Sequence, residues 1–432
     1  MAEVFEDFRI GNMTARNRLV RAATAESLCT REGEPSKRMM DYYTELAKGG
    51  VGTIITGYAY VAADGKPSER ALSLCEDASE DALRALVQAV HEPRIVDIDP
   101  GPLTPENIPL MLPNGRIVPG ESVAKRKRGA HAKVDPGTQA RVVAQLVYGG
   151  SKSKLAADDP RWLAAGAQGD SGHAANDSEG APTADILGPS AIAHPVTGIV
   201  PRAATAADLK RVAAAFASAA GRAKRVGFDG VEVHAAHGYL LSQFLDGRFN
   251  RRADEYGASL EGRARLAVEC VRAVRAEVGE GYPVLVKLNS CDVMGDAEGA
   301  AGGLSESESL QVAQWLVEAG ASCIEVSGDW HGVDQEDISG EPFFGSYGAR
   351  LAHRLGTEVP VIVTGGWRDL DTIERYLETT GVAGFGMSRP LICQTILPEL
   401  WRAEVTRTCE CISCNWCVPK NGIPCILRKG RG

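Results

Sequence analysis

The strongest constraint in this chain is a repeated alternation of two patterns. Short, almost wholly apolar runs are each followed by a stretch whose apolar residues recur at helical spacing. The first run ends at Thr24, and the others cover 51–60, 141–147, 231–233, 283–288, 323–327, 360–364 and 382–387. Between them helices are expected over 36–48, 79–91, a stretch opening at Thr205, then 260–278, 305–319, 346–355 and 369–377. Thr205 to Asp208 has the spacing of a capping box, with Asp where Glu or Gln is usual. Ala267, Val271, Val274 and Val278 share one helical face. A strand with no polar side is buried on both faces, which requires a parallel sheet covered by helices. Eight such units favour closure into a (β/α)8 TIM barrel over an open doubly wound sheet. The 432 residues, 44% of them hydrophobic, are enough to bury a core of that size. In such a barrel the chemistry belongs at the C-terminal strand ends.

Two stretches break the alternation. Residues 92–137, rich in Pro and Gly, intrude between the second helix and the third strand, where a few residues would suffice. Such a connection lies on the barrel floor, so this insertion is expected to be irregular, poorly ordered and far from the active site; unspliced coding sequence would read the same way. Residues 166–183 are Gly, Ala, Ser and Asp in a strand-to-helix connection, and read as spacer sooner than as a lid. The expected organisation is a barrel over 1–400, interrupted by 92–137, and a Cys-rich tail over 401–432.

A formal charge of −9 argues against a nucleic-acid partner, and the basic run at 125–128 reads as a solvated loop. No apolar stretch approaches the ~18 residues of a membrane helix. The first seven residues are acidic, unlike a signal or transit peptide, so a cytoplasmic location is the default. Six cysteines are scattered singly, whereas Cys409, Cys411, Cys414, Cys417 and Cys425 crowd the tail. That distribution is not a disulfide framework.

Polar residues gather where the strands end. His234, His237 and Tyr239 fall within six residues, just past Val231–Val233. One buried imidazole is usually a satisfied core residue, but two with a phenol at a strand mouth make a cluster of hydrogen-bond donors. The loops after the last two strands carry Gly365-Gly366 and Gly384-Phe-Gly386-Met-Ser388-Arg389. Glycine lets backbone N–H groups approach an anion, and Arg389 can add a bidentate charge, which together suit a phosphate. No GxGxxG opens a helix after the first strand, so this is not a dinucleotide fingerprint.

The segment His234-Ala-Ala-His237-Gly-Tyr239-Leu, with Gln243-Phe244-Leu245 after it, resembles the old yellow enzyme family of FMN-dependent NADH:flavin oxidoreductases and ene reductases. The block from Asn250 to Arg263 is similar to the family's next one, with Ala258 where a second Gly is usual. The likeness extends over about 5–400. It implies FMN, with Gln145 and Lys287 on the flavin ring, backbone contacts from Ala23, Thr24 and Ala59, and phosphate contacts from Gly365, Gly366, Gly386, Ser388 and Arg389. It also implies NAD(P)H as reductant and a small enone-like substrate. In that scheme His234 and His237 donate to the substrate carbonyl and Tyr239 supplies the proton. Tyr148 stands where many relatives have His, and Ala25 where other branches place Thr or Cys, so substrate and redox potential stay open. So do the choice between NADH and NADPH and the oligomeric state. The alternatives are an FMN-dependent amine dehydrogenase or demethylase, for which aromatic residues should cage the nitrogen, and a catalytically silent flavin-binding barrel.

In the tail, Cys411-Ile-Ser-Cys414-Asn-Trp-Cys417, with Cys425 beyond, resembles the cluster-binding segment of the branch that includes dienoyl-CoA reductase and trimethylamine dehydrogenase. Here the third Cys comes one residue early, and the sequence reaches Gly432 without further flavin domains. Unliganded thiols are therefore expected, with a [4Fe–4S] cluster or a structural zinc as the alternatives.

Overall fold

The computed structural model describes residues 3–92, 140–153, 183–195, 198–292, 302–328 and 342–417, with Cys425, Leu427 and the backbone of four short strands between 97 and 133. Eight parallel strands form the ring: β1 (Leu19–Arg21), β2 (Thr53–Ile55), β3 (Arg141–Val147), β4 (Gly230–Ala235), β5 (Val284–Asn289), β6 (Cys323–Ser327), β7 (Val361–Thr364) and β8 (Gly384–Met387). Each pairs with its neighbour, and β8 returns to β1 through Phe385–Leu19, Gly386–Val20 and Met387–Arg21, which closes the barrel. Around it lie α1 (Lys37–Lys48), α2 (Glu80–His91), α3 (Ala206–Val226), α4 (Leu260–Val278), α5 (Glu306–Glu318), α6 (Gly345–Leu355), α7 (Leu370–Thr380) and the short α8 (Arg389–Cys393).

The helix starts follow the side-chain chemistry. Ser36 Oγ accepts from Met39 N, and the Thr205/Asp208 and Ser305/Glu308 pairs both form reciprocal capping boxes. Each cap is worth about 1 kcal/mol. The apolar faces of the helices then cover the outward residues of the strands, such as Val142, Ala144 and Leu146 of β3 and Val231 and Val233 of β4.

Alternate residues point to the barrel axis. The lower set, Val20, Ile55, Val143, Leu285, Cys323 and Ile362, packs against Phe8, Ile10, Met13 and Ala15. Those four come from an N-terminal antiparallel hairpin, Phe8–Ile10 with Met13–Ala15, which plugs the N-terminal end of the barrel. Asn12 N donates to Gly281 O at 2.8 Å and ties the hairpin to the α4–β5 turn. The hairpin thus closes the N-terminal end of the barrel.

Some expectations need correction. The second strand does not run unbroken through 51–60: it stops at Ile55, and Ala59–Tyr60 re-pairs with Leu146–Val147. The break occurs because Gly57 N donates to the Tyr43 hydroxyl instead of to a strand. The connection after β3 contains an unforeseen parallel pair, Thr183–Gly188 with Pro201–Ala203. Within 92–137, where irregular backbone was expected, Asp97–Ile98 pairs with Ala132–Lys133 and Pro109–Met111 with Ile117–Pro119, both antiparallel. The remainder of that segment, its distance from the site, its basic run, and the spacer up to 182 lie outside the described residues. Among the described residues no helix is long and apolar enough to cross a membrane.

Candidate active site

Two residues beyond the apolar plug, the inward-facing positions of the same strands become polar. Gln145, Glu232, Lys287, Glu325 and Thr364 form one connected layer, and all but Thr364 are buried. Register explains the meeting: Gln145 lies beside Glu232, and Lys287 lies beside both His234 and Glu325. Gln145 Nε2 donates to Glu232 Oε2 at 2.6 Å, and Thr364 Oγ1 donates to Glu325 Oε1 at 2.5 Å. The Lys287 ammonium sits 2.9 Å from Glu325 Oε1 and 3.7 Å from Glu232 Oε2. Burial alone would strip Lys287 of its proton; the Glu232 and Glu325 carboxyl groups overcome it and hold the ammonium above the usual lysine range. Sequence reading found Gln145 and Lys287 but missed Glu232 and Glu325. The available signal was an acidic residue inside each of two apolar strands, Val231-Glu232-Val233 and Ile324-Glu325-Val326.

The three rings stand directly above this layer. His234 packs edge-on against His237, centroids 5.0 Å apart, and against Tyr239 at 4.9 Å. Ala236 N donates to His234 Nδ1 at 3.2 Å, so that nitrogen is unprotonated and Nε2 carries the hydrogen. Burial, reinforced by His237 and Lys287, holds the ring well below the ordinary imidazole pKa, so His234 is a neutral donor. His237 has a left-handed backbone, φ 59°, followed by Gly238 at φ 67°. That conformation costs a residue with a Cβ about 1 kcal/mol or more. It is held from both sides: His237 N donates to Asn289 Oδ1 at 3.1 Å, and Lys152 Nζ donates to His237 O at 2.6 Å. His237 Nε2 lies 2.9 Å from Ser327 Oγ. Tyr239 is half-buried, with Lys152 Nζ 5.5 Å from its ring centroid and Tyr58 edge-on at 5.8 Å.

The glycine loops lie at the same end as the rings, because all eight strands run parallel and both features follow C-terminal ends. Gly365 and Gly366 have φ of 114° and 88°, which side-chain-bearing residues rarely adopt. Gly386 is required for a different reason: a Cβ there would lie 1.8 Å from Thr364 Oγ1. Gly365 N donates to Gly386 O at 3.2 Å, joining the two loops. Ala23 packs on the inner apolar cluster, Thr24 Oγ1 donates to Ala22 O at 3.3 Å, and Ala59 is buried in its short strand. Ser388 leads into α8, and Arg389 Nη1 donates to Asn415 Oδ1 at 2.6 Å. The structure therefore gathers Gln145, Lys287 and the three rings into one mouth and links Arg389 to the tail. A flavin fits this donor set. The ring edge would find an amide and an ammonium on the axis, and the phosphate a bare backbone cradle between β7 and β8.

The tail cysteines also converge. Cys411, Cys414, Cys417 and Cys425 line one small cavity with Cys393 of α8, Arg389 and Trp416. Cys393 was not foreseen, because it is separated from the motif in sequence. Burial pushes the Cys417 thiol up to about 11. Among the described residues, no three His, Cys, Asp or Glu side chains are grouped so as to hold a metal ion.

Comparison with known proteins bears on the whole of this architecture. Residues 3–96 and 137–406 match the NADH:flavin oxidoreductase / NADH oxidase family. The chain is 28% identical over 418 residues to an NADH oxidase of Thermoanaerobacter brockii, an alignment covering 95% of this chain and 52% of that protein. Its fold is similar to that of 2-naphthoyl-CoA reductase in complex with 2-naphthoyl-CoA, with a TM-score of 0.75 at 22% identity, covering 99% of this chain and 57% of that one. An old yellow enzyme homologue from Zymomonas mobilis superposes with a TM-score of 0.67 at 20% identity, over 94% of both chains. This chain spans about half the length of the first two proteins.

Proposed function

Because the chain belongs to the NADH:flavin oxidoreductase / NADH oxidase family, we propose that it is an FMN-dependent, NAD(P)H-driven reductase of activated C=C bonds. The observation that carries this reading is the convergence of two imidazoles and a phenol over a buried Gln–Lys–carboxylate layer, all at the glycine-loop end of the barrel. Gln145 and Lys287 would hold the flavin's pyrimidine side, with Ala23, Thr24 and Ala59 along the ring. Gly365, Gly366, Gly386, Ser388 and Arg389 would hold its phosphate. Bound there and reduced by a nicotinamide, the flavin would supply hydride-transfer chemistry. His234, as a neutral donor, and His237 act on the substrate instead: they bind the carbonyl oxygen of an α,β-unsaturated compound and draw electron density from its β-carbon. Tyr239 delivers a proton to the α-carbon. His237 is oriented for this by Ser327, Asn289 and Lys152, which contact its ring, its N–H and its carbonyl respectively. The paired imidazoles favour a carbonyl-bearing substrate over an amine.

Anaerobic titration of the purified chain with NADH and with NADPH, followed by reoxidation with a panel of enones and nitroalkenes, tests the assignment. Bleaching by a nicotinamide and recovery by an enone are expected; a yellow protein that neither nicotinamide bleaches overturns it. His237→Ala should weaken binding of a phenolic ligand about ten-fold while FMN stays bound, as expected for loss of one hydrogen bond.

A further inference from the structure

The buried carboxyl groups of Glu232 and Glu325 have no role in the chemistry just described, and their geometry is incomplete as two anions. Both side chains are fully buried, on either side of one ammonium. Glu325 Oε1 has two donors, Lys287 at 2.9 Å and Thr364 at 2.5 Å. Glu232 Oε2 accepts from Gln145 at 2.6 Å, and Lys287 is 3.7 Å away. The remaining oxygens, Glu232 Oε1 and Glu325 Oε2, are buried with no donor among the described residues. Two carboxylates and one ammonium would leave a net negative charge in the barrel interior and two bare anionic oxygens, a cost of several kcal/mol. A single added proton removes both problems. It makes the layer neutral and turns one orphaned acceptor into a donor.

We infer that Glu232 and Glu325 share one proton, carried on Glu232, and that Glu232 as a neutral acid is the positioning residue that holds Gln145 and Lys287 toward the flavin. Glu325 keeps the charge because it has the closer ammonium and the hydroxyl; Glu232 has an amide and the ammonium only at 3.7 Å. The direction of titration agrees: burial and then the Glu325 charge raise Glu232 far above the usual carboxylate range, whereas Lys287 brings Glu325 below it. The other titratable groups around the layer are Cys323 on β6, which feels both carboxyl groups, and His234 on β4 and Arg21 on β1, which feel Lys287. His234 is neutral, the Cys323 thiol is pushed far up by burial, and Arg21 is matched by Glu26, so none supplies the missing proton or charge.

The second half of this inference rests on the flavin assignment; the first does not. Infrared spectroscopy of the full chain at pH 8, in H2O and D2O, tests the first half with or without FMN. A deuterium-sensitive carboxylic C=O stretch above the amide band is expected in the wild type. It should vanish in Glu232→Gln, and also in Glu325→Gln, where Glu232 ionises to become the sole counter-ion of Lys287. Absence of the band in the wild type, its survival in Glu232→Gln, or its persistence at full intensity in Glu325→Gln overturns the shared proton. For the positioning role, Glu232→Gln reproduces the neutral acid and should keep the FMN dissociation constant within about two-fold, while Glu232→Leu should raise it about ten-fold. Equal affinities in the two variants overturn that role. If the wild type takes up no FMN, the flavin reading falls, and the infrared result still decides where the proton is.

Discussion

The lower and upper halves of the barrel interior are built from the same strands, two residues apart, and follow opposite rules. Below, Val143, Leu285, Cys323 and Ile362 close over an apolar hairpin. Above, Gln145, Lys287, Glu325 and Thr364 occupy the next inward positions and form a hydrogen-bonded polar layer. Burying each large apolar side chain of the plug stabilises the fold by about 1.5–3 kcal/mol. The polar layer at best breaks even against a hydrophobic replacement, because desolvation offsets the ion pairing. The lower layer therefore holds the ring closed, and the upper one gathers the buried polar groups at the C-terminal strand ends.

The largest effect should come from breaking the upper layer at its centre. Lys287→Met deprives Glu325 of its ammonium and should cost about 3–5 kcal/mol in urea unfolding near pH 8. In this variant the folded-state pKa of the carboxyl rises above its unfolded value. The penalty is therefore present at high pH and shrinks as the pH falls and the group takes up a proton. Leu285→Ala, one inward step lower on the same strand, should cost about 3 kcal/mol with no such pH dependence. A pH-dependent loss there, or a pH-independent one at Lys287, would erase the proposed distinction between the layers.

A finer probe is Thr364→Val, which removes one donor to a charged carboxylate and should cost about 1.5 kcal/mol while leaving the plug intact. The smallest effect belongs to His234. Its folded-state pKa lies below the ordinary imidazole value of 6.5, so on acidification the unfolded chain gains the proton first. Stability should fall as pH drops below about 6.5, and His234→Gln should flatten that part of the melting-temperature profile. An unchanged profile would mean that the ring titrates alike in the folded and unfolded chain.

Much of this was legible from residues alone. Helix 260–278, strand 323–327, the helix starts at Ser36 and Ser305 and the capping box at Thr205 lie where apolar periodicity and capping chemistry put them. The grouping of His234, His237 and Tyr239 was legible because the three are local in sequence. The plug was not: Phe8, Ile10, Met13 and Ala15 form strands too short to stand out, and their partners lie up to the other end of the chain. Nor was the break at Gly57, which depends on a hydroxyl from α1.

The sequence by itself determined the alternation of strands and helices, and with it the number of barrel units, since both follow from local spacing of apolar side chains. It also determined which residues could do chemistry. Only the tertiary structure decided which of them meet. In a strand buried on both faces, most inward and outward positions are equally apolar, so a single polar residue such as Glu232 or Glu325 does not by itself show which others it meets. Ring closure brings Gln145, Glu232, Lys287, Glu325 and Thr364 from five separate strands into one connected layer. Burial there turns five separately unremarkable residues into one coupled charge system.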